Sequence, residues 1–190
     1  VIVLTPPHHA LIHHALADAR RWCAGRVIDD RPALAHAARV AVTLGEHVTA
    51  PGPELIAAAL LHDSPEFAPA DIDLDTVLRQ RYGDEVMRIV RALQTEHYAL
   101  DTDNPVIIAD DRPVLLASTA DKIVALTSLT RRAKKSGDST GFFAARPALL
   151  KLLPHFQTFR AAGAGQIPPS MTRHLGAVLA TLSATARGTA

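Results

Sequence analysis

The chain has one cysteine, Cys23, among 190 residues. No intrachain disulfide framework can form, a composition that suits a reducing compartment, and the thiol is expected as a small buried side chain. Aromatic residues make up only 4%, and charge of neither sign is in excess: 20 Lys and Arg stand against 19 Asp and Glu, a net charge of +1. A balanced surface with few rings lacks the basic field that draws a protein to nucleic acid, so no nucleic-acid partner is expected and any phosphate recognition must be local. Long apolar runs are missing as well. Val1-Ile2-Val3-Leu4 is soon broken by Pro6 and Pro7, which is too short for a signal segment or a membrane span. A cytoplasmic protein without a membrane partner is therefore expected.

With 48% hydrophobic residues, a chain of this length can bury a real core, and one domain over 1–190 accounts for it. Apolar residues recur at intervals of three and four in Leu11–Trp22, Ala33–Leu44, Leu55–His62, Leu74–Tyr82, Glu85–Leu93, Val114–Thr130, Phe142–Phe159 and Met171–Leu182. That period is helical, and strand signals are weak. Gly, Pro, Asn and Asp collect at 49–53, 65–73, 100–113, 136–138 and 161–169, where breaks are expected. The expected fold is an all-α helical bundle in which the C-terminal helices, including Met171–Leu182, pack on the core as accessory elements.

Set into these apolar runs are His36, the adjacent pair His62-Asp63, and Asp121. Ala57-Ala58-Ala59-Leu60-Leu61 carries an imidazole and a carboxylate into what should be the interior, where an unpaired ionised group is costly. A metal ion supplies the compensating charge, and two imidazoles with two carboxylates suit Zn, Mn, Fe or Co. If only these four groups bind, coordination positions stay open, as in a catalytic site. A divalent ion lowers the pKa of a bound water and polarises a phosphoryl oxygen, so phosphoester or pyrophosphate hydrolysis is the natural reaction. Glu66, four residues beyond His62, would stand on the next helical turn towards the same cavity, placed to orient or deprotonate water. His8, His9, His13 and His14 form another cluster, but no carboxylate is tied to them and a second metal site is not expected there.

The segment from about Arg20 to Lys135 resembles the HD superfamily of metal-dependent phosphohydrolases, whose pattern is H...HD...D. It is most similar to the hydrolase domain of Rel/SpoT-type alarmone enzymes and their small stand-alone relatives. Ala58-Ala59-Leu60-Leu61-His62-Asp63-Ser64-Pro65-Glu66 is similar to the family's AALLHDxxED, and Ala120-Asp121-Lys122-Ile123-Val124-Ala125-Leu126 to its ADKLxNL. Between them, Leu74 to Val86 is similar to the family's helix, turn and FGxxV helix start. The resemblance implies a helical HD domain with its metal-binding core at about 20–135. It implies one divalent ion, manganese first, held by His36, His62, Asp63 and Asp121, and catalysis carried by Glu66 and Asp63. The implied substrate is a phosphorylated nucleotide of the (p)ppGpp type. A homo-oligomer is left open.

The chain departs from that pattern at two places. Phe67 stands where the alarmone enzymes have the second of two consecutive carboxylates, and Ala125 where they have asparagine. Asp71 or Asp73 could substitute from the loop, although loop aspartates usually form turns. The upstream Arg21-Trp22 and the HDxxE spacing are instead similar to HD-type 5'-nucleotidases and nucleoside triphosphate hydrolases, in which Arg20 or Arg21 would hold a phosphate or stack on a base. Lys122 is a further candidate phosphate contact, while Arg131, Arg132, Lys134 and Lys135 read as a solvated helix end. A non-enzymatic alternative is a degenerate HD domain that binds a nucleotide or a partner protein, with Phe67 marking lost catalysis.

Overall fold

The computed structural model describes residues 9–28 and 30–188; His8 of the histidine cluster lies outside them. The described residues form α1 (Ala10–Trp22), α2 (Ala33–His47), α3 (Pro53–Leu61), α4 (Ser64–Phe67), α5 (Leu74–Tyr82), α6 (Asp84–Ala99), α7 (Arg112–Lys135), α8 (Ser139–Ala144), α9 (Pro147–Lys151), α10 (Leu153–Ala162) and α11 (Pro169–Ala186). Two antiparallel two-residue strands, β1 (Val27–Ile28) and β2 (Arg31–Pro32), form a small hairpin before α2. The protein is all-α. Among the described residues no helix is long and apolar enough to cross a membrane.

Helix α7 is the axis of the fold. Its buried residues include the unbroken run Val114 to Ile123, so it has no solvent stripe and must be enclosed by neighbours. Helices α2, α3, α6 and α11 supply that enclosure. Asp111 starts it by accepting from the Val114 N–H at 3.2 Å, with Pro113 in the first turn where no N–H is needed. Helix α3 is similarly enclosed, with Leu55 and Ala57 to Leu61 buried against α1, α2 and α6. Its alanines shorten the distance at which those neighbours pack, which brings the α3 C-terminus into the centre of the bundle. Helix α5 ends and α6 begins at Gly83, whose φ of 89° is a conformation glycine adopts without a Cβ clash.

The expected helix Phe142–Phe159 is instead three pieces, α8, α9 and α10. Arg146, with φ −130° and ψ 57°, leaves helical geometry directly before Pro147, and Pro147 opens α9. Pro154 likewise lies in the first turn of α10. A proline cannot donate to the preceding turn and restricts the residue before it, so each one starts a new helix. Phe143, Phe156 and Phe159 are nevertheless buried, which is why the apolar spacing passes for one continuous face.

Candidate metal and catalytic site

Two helices and one helix junction converge at the centre of the bundle. His36 comes from the first turns of α2 and Asp121 from the middle of α7. His62 and Asp63 do not sit inside a helix; they form the corner at which α3 ends and α4 starts. That corner turns both side chains towards α7. One donor atom from each of His36, His62 and Asp121 lies within 4.8 Å of the other two.

The separations are those of ligands around one ion. His36 Nε2 is 2.9 Å from Asp121 Oδ1, and His62 Nε2 is 3.3 Å from His36 Nε2. Asp63 Oδ1 and Asp121 Oδ1 lie 3.3 and 3.7 Å from His62 Nε2. Two ligands each about 2.1 Å from an ion stand about 3.0 Å apart at a right angle and about 3.4 Å apart at a tetrahedral one. His62 Nδ1 donates to the Ala59 carbonyl at 2.8 Å, which leaves the lone pair on Nε2, the nitrogen facing the cluster. Asp63 Oδ2 is buried with no hydrogen-bond partner, an arrangement whose cost a cation would offset. The donor set and this orphaned oxygen fit a divalent ion.

His97, which the sequence did not single out, completes the ring of donors. It lies in the last turn of α6 with Nε2 3.0 Å from Asp121 Oδ2. Its signal in the sequence is only that it continues the stripe Val86, Val90 and Leu93 by four more residues. Burial works to raise the Asp121 pKa, but hydrogen bonds from His36 and His97 and the charges of His97 and His62 outweigh it and hold the group well below the usual carboxylate range. Burial of His97 works to lower its pKa, yet the hydrogen bond and charge of Asp121 win and raise it.

A cavity of about 250 Å³ opens over this ring, and His36, Asp63, Glu66, His97, Asp121 and Lys122 are in its wall. Glu66 thus faces the cluster from α4. On the other side of His36, between α2 and α7, a groove of about 440 Å³ is lined by Arg31, Arg39, Glu46, Thr127, Ser128 and His174 among others. Thr127 Oγ1 and Ser128 Oγ are buried there with no partner.

The basic groups fall differently from expectation. Arg20 and Arg21 are exposed residues of α1 and line neither cavity. Arg21 instead pairs with buried Asp18 at 2.8 Å, and Asp18 also accepts from Arg81 at 2.5 Å and from the Tyr82 hydroxyl at 2.7 Å, tying α1 to α5. Trp22 is part of the core. Lys122 does not reach out to solvent: it lies in the stretch of α7 that is buried on all faces, so its Nζ stays inside, donating to Ser118 Oγ at 2.6 Å and pairing with Glu96 Oε2 at 3.3 Å above the Phe159 ring. Asp73 caps α5 by accepting from Thr76, and Phe67 packs against the core. Cys23 is buried, and that burial, followed by the Asp63 charge, pushes its pKa up to about 11, so the thiol is an inert packing group.

Glu96 and Lys122 are 2% and 5% exposed, so each is the other's compensation. Glu96→Ala should cost about 3–5 kcal/mol by leaving a buried ammonium unpaired. Denaturant unfolding checks this, and a loss below about 1 kcal/mol would show that Lys122 finds solvent instead.

No protein-family model and no curated protein matches the sequence. The structure is similar to that of a metazoan ortholog of SpoT, a protein that hydrolyzes ppGpp and plays a role in starvation responses. The TM-score is 0.71 at 16% identity, over 98% of this chain and 100% of that one. The fold is therefore shared end to end with that protein, in keeping with the expected all-α helical bundle.

Proposed function

We propose that this chain is a metal-dependent phosphohydrolase acting on a phosphate or pyrophosphate ester of a nucleotide, with guanosine tetraphosphate as the first substrate to test. One observation carries the reading: His36, His62 and Asp121 converge within 4.8 Å, beside a buried, unpaired Asp63 oxygen, under a cavity with Glu66 in its wall. The choice of substrate is supported by the shared fold with a ppGpp hydrolase. The unit proposed is the whole of 1–190 with its metal-binding core at about 20–135.

A divalent ion held by His36, His62, Asp63 and Asp121, manganese first, would acidify water and polarise the phosphoryl oxygen. The protein's own part is orientation and proton transfer. The Ala59 carbonyl fixes the His62 ring, and His97 and His36 hold the Asp121 carboxylate from both sides. Glu66 takes the proton of the attacking water as its oxygen bonds to phosphorus and the bond to the leaving oxygen breaks. The groove beyond His36 provides room for the rest of the nucleotide. Arg31 and Arg39 line it and replace Arg20 and Arg21 as the proposed phosphate contacts, and the Thr127 and Ser128 hydroxyls are free to bond a base or sugar. Lys122, neutralised by Glu96, supports the wall instead of binding phosphate.

Phe67 favours a second reading, hydrolysis of nucleoside phosphates. Its ring packs on the core where the alarmone enzymes have a carboxylate. The metal-reconstituted protein is to be compared on guanosine tetraphosphate and on nucleoside mono- and triphosphates. Faster release of pyrophosphate from guanosine tetraphosphate than of phosphate from any monophosphate is expected. The reverse ranking assigns the chain to the nucleotidase reading. If the missing carboxylate is the main defect, Phe67→Asp should raise alarmone turnover, and no gain means that the pocket itself differs.

A further inference from the structure

We infer that Ser170, His47 and His174 form a second active site, remote from the metal cluster, in which Ser170 is the nucleophile for hydrolysis of a carboxylic ester. His47 is the last residue of α2, eleven residues beyond His36 and about 16 Å further along the helix. The three side chains make one chain of hydrogen bonds. Ser170 Oγ is 3.1 Å from His47 Nδ1, and His47 Nε2 is 2.9 Å from His174 Nδ1. When the Ser170 hydroxyl donates to His47 Nδ1, the His47 Nε2–H donates to His174, and each acceptor in the chain meets one proton. A serine within reach of an imidazole that is itself oriented by a third group is the arrangement that activates a hydroxyl as a nucleophile. No sequence spacing marks it, because His47 closes α2 while Ser170 and His174 stand in the first two turns of α11.

The surroundings suit that chemistry. Burial and the neighbouring His174 hold His47 below the ordinary imidazole value, against the pull of the Glu46 charge, so the ring is neutral near pH 7 and can accept a proton. Ser170 lies in the first turn of the 18-residue α11. Backbone N–H groups there have no partner within the helix and stand at its positive end, placed for negative charge that develops beside Ser170. The three side chains are half-buried, and a cavity of about 700 Å³ adjoins them, with His47, Glu54, Arg112 and Pro168 in its wall. In the first step Ser170 Oγ bonds to the ester carbonyl carbon as its proton passes to His47 Nδ1, and the carbonyl electron pair moves onto oxygen. Return of that pair breaks the bond to the alcohol oxygen, which leaves with the proton from His47. Water then attacks the acyl-serine by the same route and frees the carboxylic acid. His174 touches no reacting atom. It is a positioning residue that keeps the His47 proton on Nε2 and the lone pair on Nδ1.

The test uses the full chain, manganese-loaded and stripped, with p-nitrophenyl acetate as substrate and a fluorophosphonate as the probe for an activated serine. Nitrophenol release at the same rate in both states is expected, together with modification of Ser170, located by peptide mass spectrometry, that stops the release. Ser170→Ala should lose the label and the release while keeping the wild-type Tm. His47→Gln should slow release by about a hundredfold or more. His174→Asn keeps an acceptor near the place of Nδ1 and should retain most of the rate, whereas His174→Leu should lose it; equal rates in these two would overturn the relay. An unmodified Ser170 in the wild type, or undiminished release in Ser170→Ala, would overturn the inference and leave the three side chains as a brace between α2 and α11. Release that vanishes on stripping would also overturn it, since the ester chemistry would then belong to the metal cluster. If a histidine variant does not fold, labelling of the wild type still decides.

Discussion

Asp63→Ala should yield a folded protein that retains no stoichiometric metal and releases no measurable phosphate, and His62→Ala should do the same. His62 Nε2 stands at the centre of the donor set, 3.3 Å from both His36 Nε2 and Asp63 Oδ1, so losing either member of the pair opens the coordination shell. The fold should survive Asp63→Ala because, without an ion, its Oδ2 has no hydrogen-bond partner, and deleting a buried unpartnered oxygen removes a penalty that offsets the loss of the Oδ1 contact with His62. Stability then becomes a second readout. An ion at about a hundred times its dissociation constant adds about 2.7 kcal/mol to the wild type, so manganese should raise its Tm and leave that of Asp63→Ala unchanged. Stoichiometric metal in Asp63→Ala would remove Asp63 from the ligand set.

Glu66→Gln should lower turnover by about a hundredfold or more, the range of general acid-base groups, while metal content and KM stay nearly unchanged. Glutamine keeps the shape of the side chain and one acceptor oxygen but cannot take a proton, so the substitution tests basicity and not packing. Glu66 is exposed on the short helix α4 and lines the cavity from there, which separates the rate from folding. Metal loss in Glu66→Gln would make the residue a ligand. Full turnover would make it a surface group and leave the base to be sought elsewhere, though not at Asp73, whose carboxylate is committed to the start of α5.

Much of this was legible in the chain because burial leaves a mark on composition. Helices α2, α3 and α7 are read within a few residues of their observed bounds from apolar spacing, and the metal-competent groups stand out because they interrupt apolar runs. What the pattern could not convey is which separate elements meet. His97 was missed because the helix expected over Glu85–Leu93 continues to Ala99, and its contact with Asp121 arises only when α6 packs on α7. Lys122 was read as turned away from the Asp121 side of its helix. The burial of α7 on all faces from Val114 to Ile123 makes every direction interior there, so the ammonium meets Glu96 of α6 instead of solvent. Arg21 is taken up by Asp18, three residues earlier in its own helix, a local pairing that competes with any role at the site. Pro147 and Pro154 were visible, but the buried phenylalanines on either side of them mimic a single helical face.

The most direct measurement of the central claim is phosphate or pyrophosphate release from guanosine tetraphosphate and nucleoside phosphates by one preparation in three states: manganese-loaded, stripped by chelator, and reloaded. The account predicts turnover in the loaded protein, its loss on stripping and its return on reloading, with Asp63→Ala inactive in all three states. Turnover that persists in the stripped protein, or manganese-dependent turnover that survives in Asp63→Ala, would contradict it.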